Sequence, residues 1–151
     1  MQLHDSLKPI LEKINFLSRY KKLQEQFPYS DESFEDYSNH EVLRIIESFG
    51  YQVKYNKKEN FFLIKESLNG YDFCFNISCK YGILELIWDI VKEGQRLTLG
   101  GPWGLIGDLL IDGDCNLKKP AFRNYDDLKE ILHEAFSMYE DFKQESISQL
   151  G

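Results

Sequence analysis

Leu7, Ile10, Leu11, Ile14 and Leu17 recur at spacings of three and four, the period of a helix that buries one stripe. Pro9 fits only a first turn, which starts this helix near Ser6. Phe27-Pro28 ends it, because a residue before proline is driven out of helical geometry. The acidic stretch YSDESFEDYS then reads as a linker. A second, short helix is written in SNHEVLRIIESFG. Ser38 and Glu41 form a capping box, Gly50 is a stop, and Val42, Leu43, Ile46 and Phe49 make the buried stripe.

From Tyr51 the period drops to two. Tyr51, Val53 and Tyr55 alternate with Gln52, Lys54 and Asn56, and after the turn NKKEN the run FFLIKES is extended. Asn69-Gly70 is a hairpin turn. Beyond it Phe73, Phe75 and Ile77 oppose Asp72, Cys74, Asn76 and Ser78, and then Leu84, Leu86, Trp88 and Ile90 oppose Glu85, Ile87, Asp89 and Val91. Four strands joined by short turns predict an antiparallel meander. The helical period returns in NYDDLKEILHEAFSMYEDFKQ. Asn124 can cap it, Asp126 and Asp127 suit the positive end of the helix dipole, and Leu128, Ile131, Leu132, Ala135, Phe136, Tyr139 and Phe142 share a face. The pattern predicts an α+β fold of one domain, residues 1–151: two N-terminal helices, a four-stranded antiparallel meander and a C-terminal amphipathic helix.

The stretch LTLGGPWGLIGDLL, Leu97–Leu110, interrupts this regularity with four of the ten glycines. Glycines opening a helix can cradle phosphate. A P-loop places Lys-Ser/Thr after its last glycine, whereas Asp108 and Leu109 follow Gly107; the dinucleotide pattern needs G-x-G-x-x-G after a parallel strand, and GGPWGLIG follows a meander. The stretch therefore predicts a Gly-Pro turn into a short helix, pinned by a buried Trp103.

The other chemical motifs fail on spacing. DGDCN, Asp112–Asn116, imitates the start of a calcium loop but has Leu117 where glycine belongs and Arg123 where a bidentate Glu belongs. Cys74 and Cys79 stand five apart, on opposite faces of one strand, with Cys79 expected in the core and Cys74 half-exposed. His4, His40 and His133 lack a metal-binding spacing and read as surface residues, and no G-x-S-x-G marks a nucleophile. The expectation is no enzyme, no metal and no cofactor.

Charge narrows the partner. The chain carries a net −7, with six acids against one base in residues 29–50 and six against two in 83–116. This balance repels nucleic acid, whose binding requires a basic face, and suits a basic protein. The candidate partner-binding residues are Asp31, Glu32, Glu35 and Asp36, with either Glu85 and Asp89 on one strand face or Asp108, Asp112 and Asp114. The opening MQLHDSLKPILEK lacks the pattern of a signal peptide, no run of apolar residues is long enough to span a bilayer, and three cysteines are an odd count. A cytoplasmic location without membrane contact is expected.

GGPWG followed by KKPAFRNYDDLKEILHEAF resembles the C-terminal half of small immunity proteins of bacterial polymorphic toxin systems, of the contact-dependent or type VI secretion kind. The similarity covers Leu97 to Lys143. It implies stoichiometric inhibition of a cognate toxin domain, such as a basic nuclease, without catalytic residues. The competing reading is a cytosolic secretion chaperone that binds an effector, although two helices ahead of consecutive strands fit that family's alternation poorly. Oligomeric state separates the two, a chaperone being dimeric alone.

Overall fold

The computed structural model describes residues 6–111, 113 and 116–150, so Asp112, Asp114 and Cys115, with most of the calcium-like motif, lie outside the described residues, as does His4. Its elements are α1 (Leu7–Lys13), α2 (Phe16–Gln26), α3 (Asn39–Ser48), β1 (Val53–Asn56), β2 (Phe61–Leu68), β3 (Tyr71–Lys80), β4 (Ile83–Lys92), β5 (Gln95–Pro102), α4 (Trp103–Leu110) and α5 (Tyr125–Leu150). The strands form one antiparallel sheet in the order β1-β2-β3-β4-β5. The fold is α+β, with helices before the meander and a long helix after it, as the periodicity predicts.

The first helix is two helices. Asn15 adopts a left-handed conformation, φ 57° and ψ 41°, which Asn tolerates better than most residues. An unbroken helix would carry the Leu7–Leu17 stripe onward into Lys21. The break re-phases the chain so that Phe16, Tyr20 and Leu23, spaced four and three apart, become the buried face of α2, while Leu17 is only half-buried. In α3 the Ser38 hydroxyl accepts from the Glu41 N–H as predicted. Ile45 rather than Leu43 completes its buried stripe.

The meander has a fifth strand. Asn69-Gly70, Tyr81-Gly82 and Glu93-Gly94 each place two consecutive residues at positive φ, the conformation of a two-residue hairpin turn that matches strand twist. Only the first has the favoured sequence. The unremarked Glu93-Gly94 turn sends Gln95–Pro102 back along β4, so the glycines and proline read as a turn belong to an edge strand, where a missing N–H or side chain is tolerated. The short helix entered through Pro102 and Trp103 is where the sequence placed it.

Strand alternation sorts the sheet into two faces. Phe62, Ile64, Phe73, Phe75, Ile77, Leu84, Leu86, Trp88 and Ile90 are all 2% exposed or less and meet the helices. Trp103 is 1% exposed, with its ring 4.8 Å from Trp88, 5.3 Å from Phe16, 5.5 Å from Tyr20 and 5.9 Å from Phe75. From α5, Phe142 stacks on Trp88 at 4.2 Å and Tyr139 lies 5.1 Å from Phe75. Within this helix Lys143 is also buried, held at 2.6 Å by Glu66 and 2.8 Å by Glu140, with its ammonium 4.5 Å from the centre of the Tyr139 ring. Its partners make it a cross-brace between α5 and β2.

One corner of the sheet sets the position of the acidic linker. β5 leaves β4 near Ile87, and residues 120–122 take its place: Leu84 N–H donates to Pro120 O, Phe122 N–H to Gly82 O, and Ile83 bridges Ala121. On the outside of that segment lies the linker itself, with Ala121 N–H donating to Phe27 O and Phe34 N–H to Phe122 O. The backbone closes over Gly82. A Cβ there would lie 2.8 Å from Phe34 O, 2.9 Å from Phe34 N and 3.0 Å from Phe122 O, at φ +76°. Gly70 has a similar φ, +82°, in open space. Gly70→Ala should therefore cost only the conformational strain, about 1 kcal/mol, and Gly82→Ala about 3 kcal/mol, because the linker must also move. Equal denaturant midpoints for the two variants would show that the linker is not seated on the hairpin.

Candidate functional site

The linker, residues 29–38, together with Phe27 and Pro28 at the end of α2, is an anchored strap. The Phe34 ring sits 5.0 Å from Tyr125 and 6.2 Å from Phe122, the Tyr37 hydroxyl donates to Cys79 O at 2.6 Å, and Ser38 N–H donates to the Tyr125 hydroxyl at 2.8 Å. Between the anchors Ser30 and Ser33 hold a turn, with Ser33 N–H on Ser30 O and Ser30 N–H on the Ser33 hydroxyl. Phe27, Phe34 and Tyr37 of the strap pack against the core. The strap's carboxylates are left outside.

Asp31, Glu32, Glu35 and Asp36 are all exposed. Glu32 has a distant ion pair, 3.9 Å from Arg123, whose guanidinium is held more closely by Asp127 at 3.0 Å. Asp31, Glu35 and Asp36 form no ion pair among the described residues. Two exposed tyrosines accompany them: Tyr29 in the strap, 53% exposed, and Tyr81, 59% exposed, in the hairpin turn on which Phe34 rests. Nothing in the sequence patterns singled out the tyrosines. Tyr81-Gly82 as a turn beside an acidic segment was the available signal.

The remaining predicted residues divide. Glu85 lies on β4 just past the bridge to Ala121, at the same end of the sheet as the strap, and its carboxylate is 2.7 Å from Lys119. Asp89 is four residues farther along the strand, 3.4 Å from Arg96; burial pushes its carboxyl up and the arginine offsets part of that. Both acids are thus answered within the chain. Asp108 is half-buried on α4, which packs against β4, β5 and α2. The structure therefore places Glu85 at the strap's end of the sheet and leaves Asp89 farther along β4 and Asp108 on α4.

The other candidate chemistry is dispersed. Cys79 is buried and Cys74 half-buried, on opposite faces of β3. His40 and His133 are exposed. Among the described residues no group of three His, Cys, Asp or Glu side chains could hold a metal ion, and no helix is long and apolar enough to cross a membrane.

Titration couples the strap to the sheet. Burial pushes the Cys79 thiol up from 9.0 to about 12. Burial, then the nearby Cys79 and Tyr55, push Tyr37 up from 10.0 to about 12. Both groups are acids kept neutral by folding, so their contribution is whole below their unfolded values and is lost as pH rises through the folded ones. Stability should decline from about pH 9 towards pH 12, because Cys79 and Tyr37 ionise in the unfolded chain while folding keeps them neutral. Denaturant melts that stay level across this window would contradict the burial of Tyr37 and Cys79.

Comparison with protein-family models, with curated proteins and with solved structures finds no match to this chain.

Proposed function

We propose that this protein is an immunity protein, which binds a cognate bacterial toxin domain and neutralises it one to one in the cytoplasm. The observation that carries the reading is the strap: unneutralised carboxylates, fixed on a hydrogen-bonded scaffold and flanked by exposed tyrosines. Tyrosine supplies contact area at little entropic cost, and carboxylates steer a basic partner into place. A surface held in shape before binding loses little conformational freedom on association. The resemblance over Leu97–Lys143 supports the same class. Inhibition of this kind acts through contact alone.

The test is co-expression with the toxin domain encoded beside this chain's gene. We expect protection of the host cell, a one-to-one complex by light scattering, and a monomer when the protein is purified alone. A stable dimer that binds an extended effector segment and gives no protection would replace this reading with a secretion chaperone.

A further inference from the structure

A groove of about 620 Å³ lies between α2 and α5, closed at one side by the C-terminal turn of α3. Its size is that of a small-molecule site. Leu23, Phe27 and Phe49 form its apolar part, and Lys22, Lys129 and His133 stand around them. Arg19 also lines it but is taken up, bonded to Glu134 at 2.6 Å, Asp141 at 2.8 Å and the Ser137 hydroxyl at 3.0 Å. That clasp removes Glu134 from the balance as well. Lys22 and Lys129 form no ion pair among the described residues, Glu41 acting on Lys129 only while itself held by Arg44 at 2.8 Å. Glu130 is then the one lining carboxylate left to oppose two ammonium groups.

We propose that this groove binds a small organic anion with one carboxylate and an aromatic or branched aliphatic body. Orientation follows from the helix ends. α2 and α3 terminate at Phe27 and Phe49, and the partial negative charge of their last carbonyls disfavours an anion there. The apolar body lies at that end, against Phe27, Phe49 and Leu23, and the carboxylate turns to Lys22 and Lys129. The His133 ring lies 6.5 Å from that of Phe49, beside the apolar end. This site uses none of the strap's carboxylates, so it stands or falls apart from the toxin-binding reading.

The probe is 4-phenylbutyrate, followed by the chemical shifts of the Phe49 and His133 rings, beside 4-phenylbutanamide, which lacks the charge, and acetate, which lacks the body. 4-Phenylbutyrate should saturate near about 1 mM, as expected for a ligand of this size, with the other two at least about tenfold weaker. Lys22 and Lys129 are exposed, so Lys22→Met with Lys129→Met should leave the melt unchanged while preserving the stems. In that variant the carboxylate should lose at least about tenfold, down to the level of the amide, whose own affinity should stay the same. Binding of 4-phenylbutyrate that is unsaturable, no tighter than that of the amide, or unaffected by the two substitutions would overturn the proposal.

Discussion

Trp103→Ala should lower the stability of the protein by roughly 3 to 5 kcal/mol, the usual cost of truncating a fully buried large aromatic. The ring is 1% exposed and meets Trp88, Phe16, Tyr20 and Phe75, so it joins α4, α2, β3 and β4 in one contact. Removing it leaves a cavity that those four elements cannot all close. The indole N–H has no hydrogen-bond partner among the described residues. Trp103→Phe should therefore cost far less, about 1 to 2 kcal/mol, since it gives up volume and no hydrogen bond. Denaturant midpoints of the two variants test this. An unchanged midpoint for Trp103→Ala would mean an exposed ring, and would reopen the glycine-rich stretch as a ligand loop.

That stretch also shows where reading the sequence stopped. Long elements with one strong period, such as β3, β4 and α5, were legible, because a single alternation decides each of them. Asn15 and Glu93 were not. At Asn15 a left-handed residue re-phases a helix, and the only sign is that Phe16 and Tyr20 fall off the first stripe. Glu93-Gly94 makes a hairpin although Glu has no preference for positive φ; the ladder between β4 and β5 imposes the turn. Lys143 was invisible for a related reason. Its burial depends on Glu66, 77 positions away, and α5 presents it beside the predicted Tyr139 and Phe142 stripe.

The candidate surface was legible in composition and not in geometry. Acids are cheap to place on a surface, so their clustering in residues 31–36 was visible but their neighbours were not. Folding separated them by pairing. Glu85 and Asp89 gained Lys119 and Arg96, whereas Asp31, Glu35 and Asp36 were left unanswered on a strap that the sheet corner holds in place. A pairing of Lys119 with Glu85 spans 34 positions, and no local pattern announces it.

Reversing the charge of the strap with Asp31→Lys, Glu32→Lys, Glu35→Lys and Asp36→Lys should slow association with a basic partner by about tenfold to a hundredfold at low salt. The fold should survive. All four side chains are exposed, and the one ion pair lost, Glu32 with Arg123, spans 3.9 Å between groups 79% and 54% exposed, where pairing contributes little. Salt dependence separates steering from other causes. Wild-type association should fall steeply as ionic strength rises, because screening shortens the reach of the carboxylates, whereas the reversed variant should lose that dependence. Glu85→Gln with Asp89→Asn supplies the comparison, since both acids are already answered within the chain and should change the rate by less than about threefold. Stopped-flow association at low and high salt reads all three proteins. Should the reversed strap associate as the wild type does at both ionic strengths, the carboxylates serve solubility alone and the partner docks elsewhere. A larger loss from the Glu85 and Asp89 pair than from the strap would move the interface onto the face of β4.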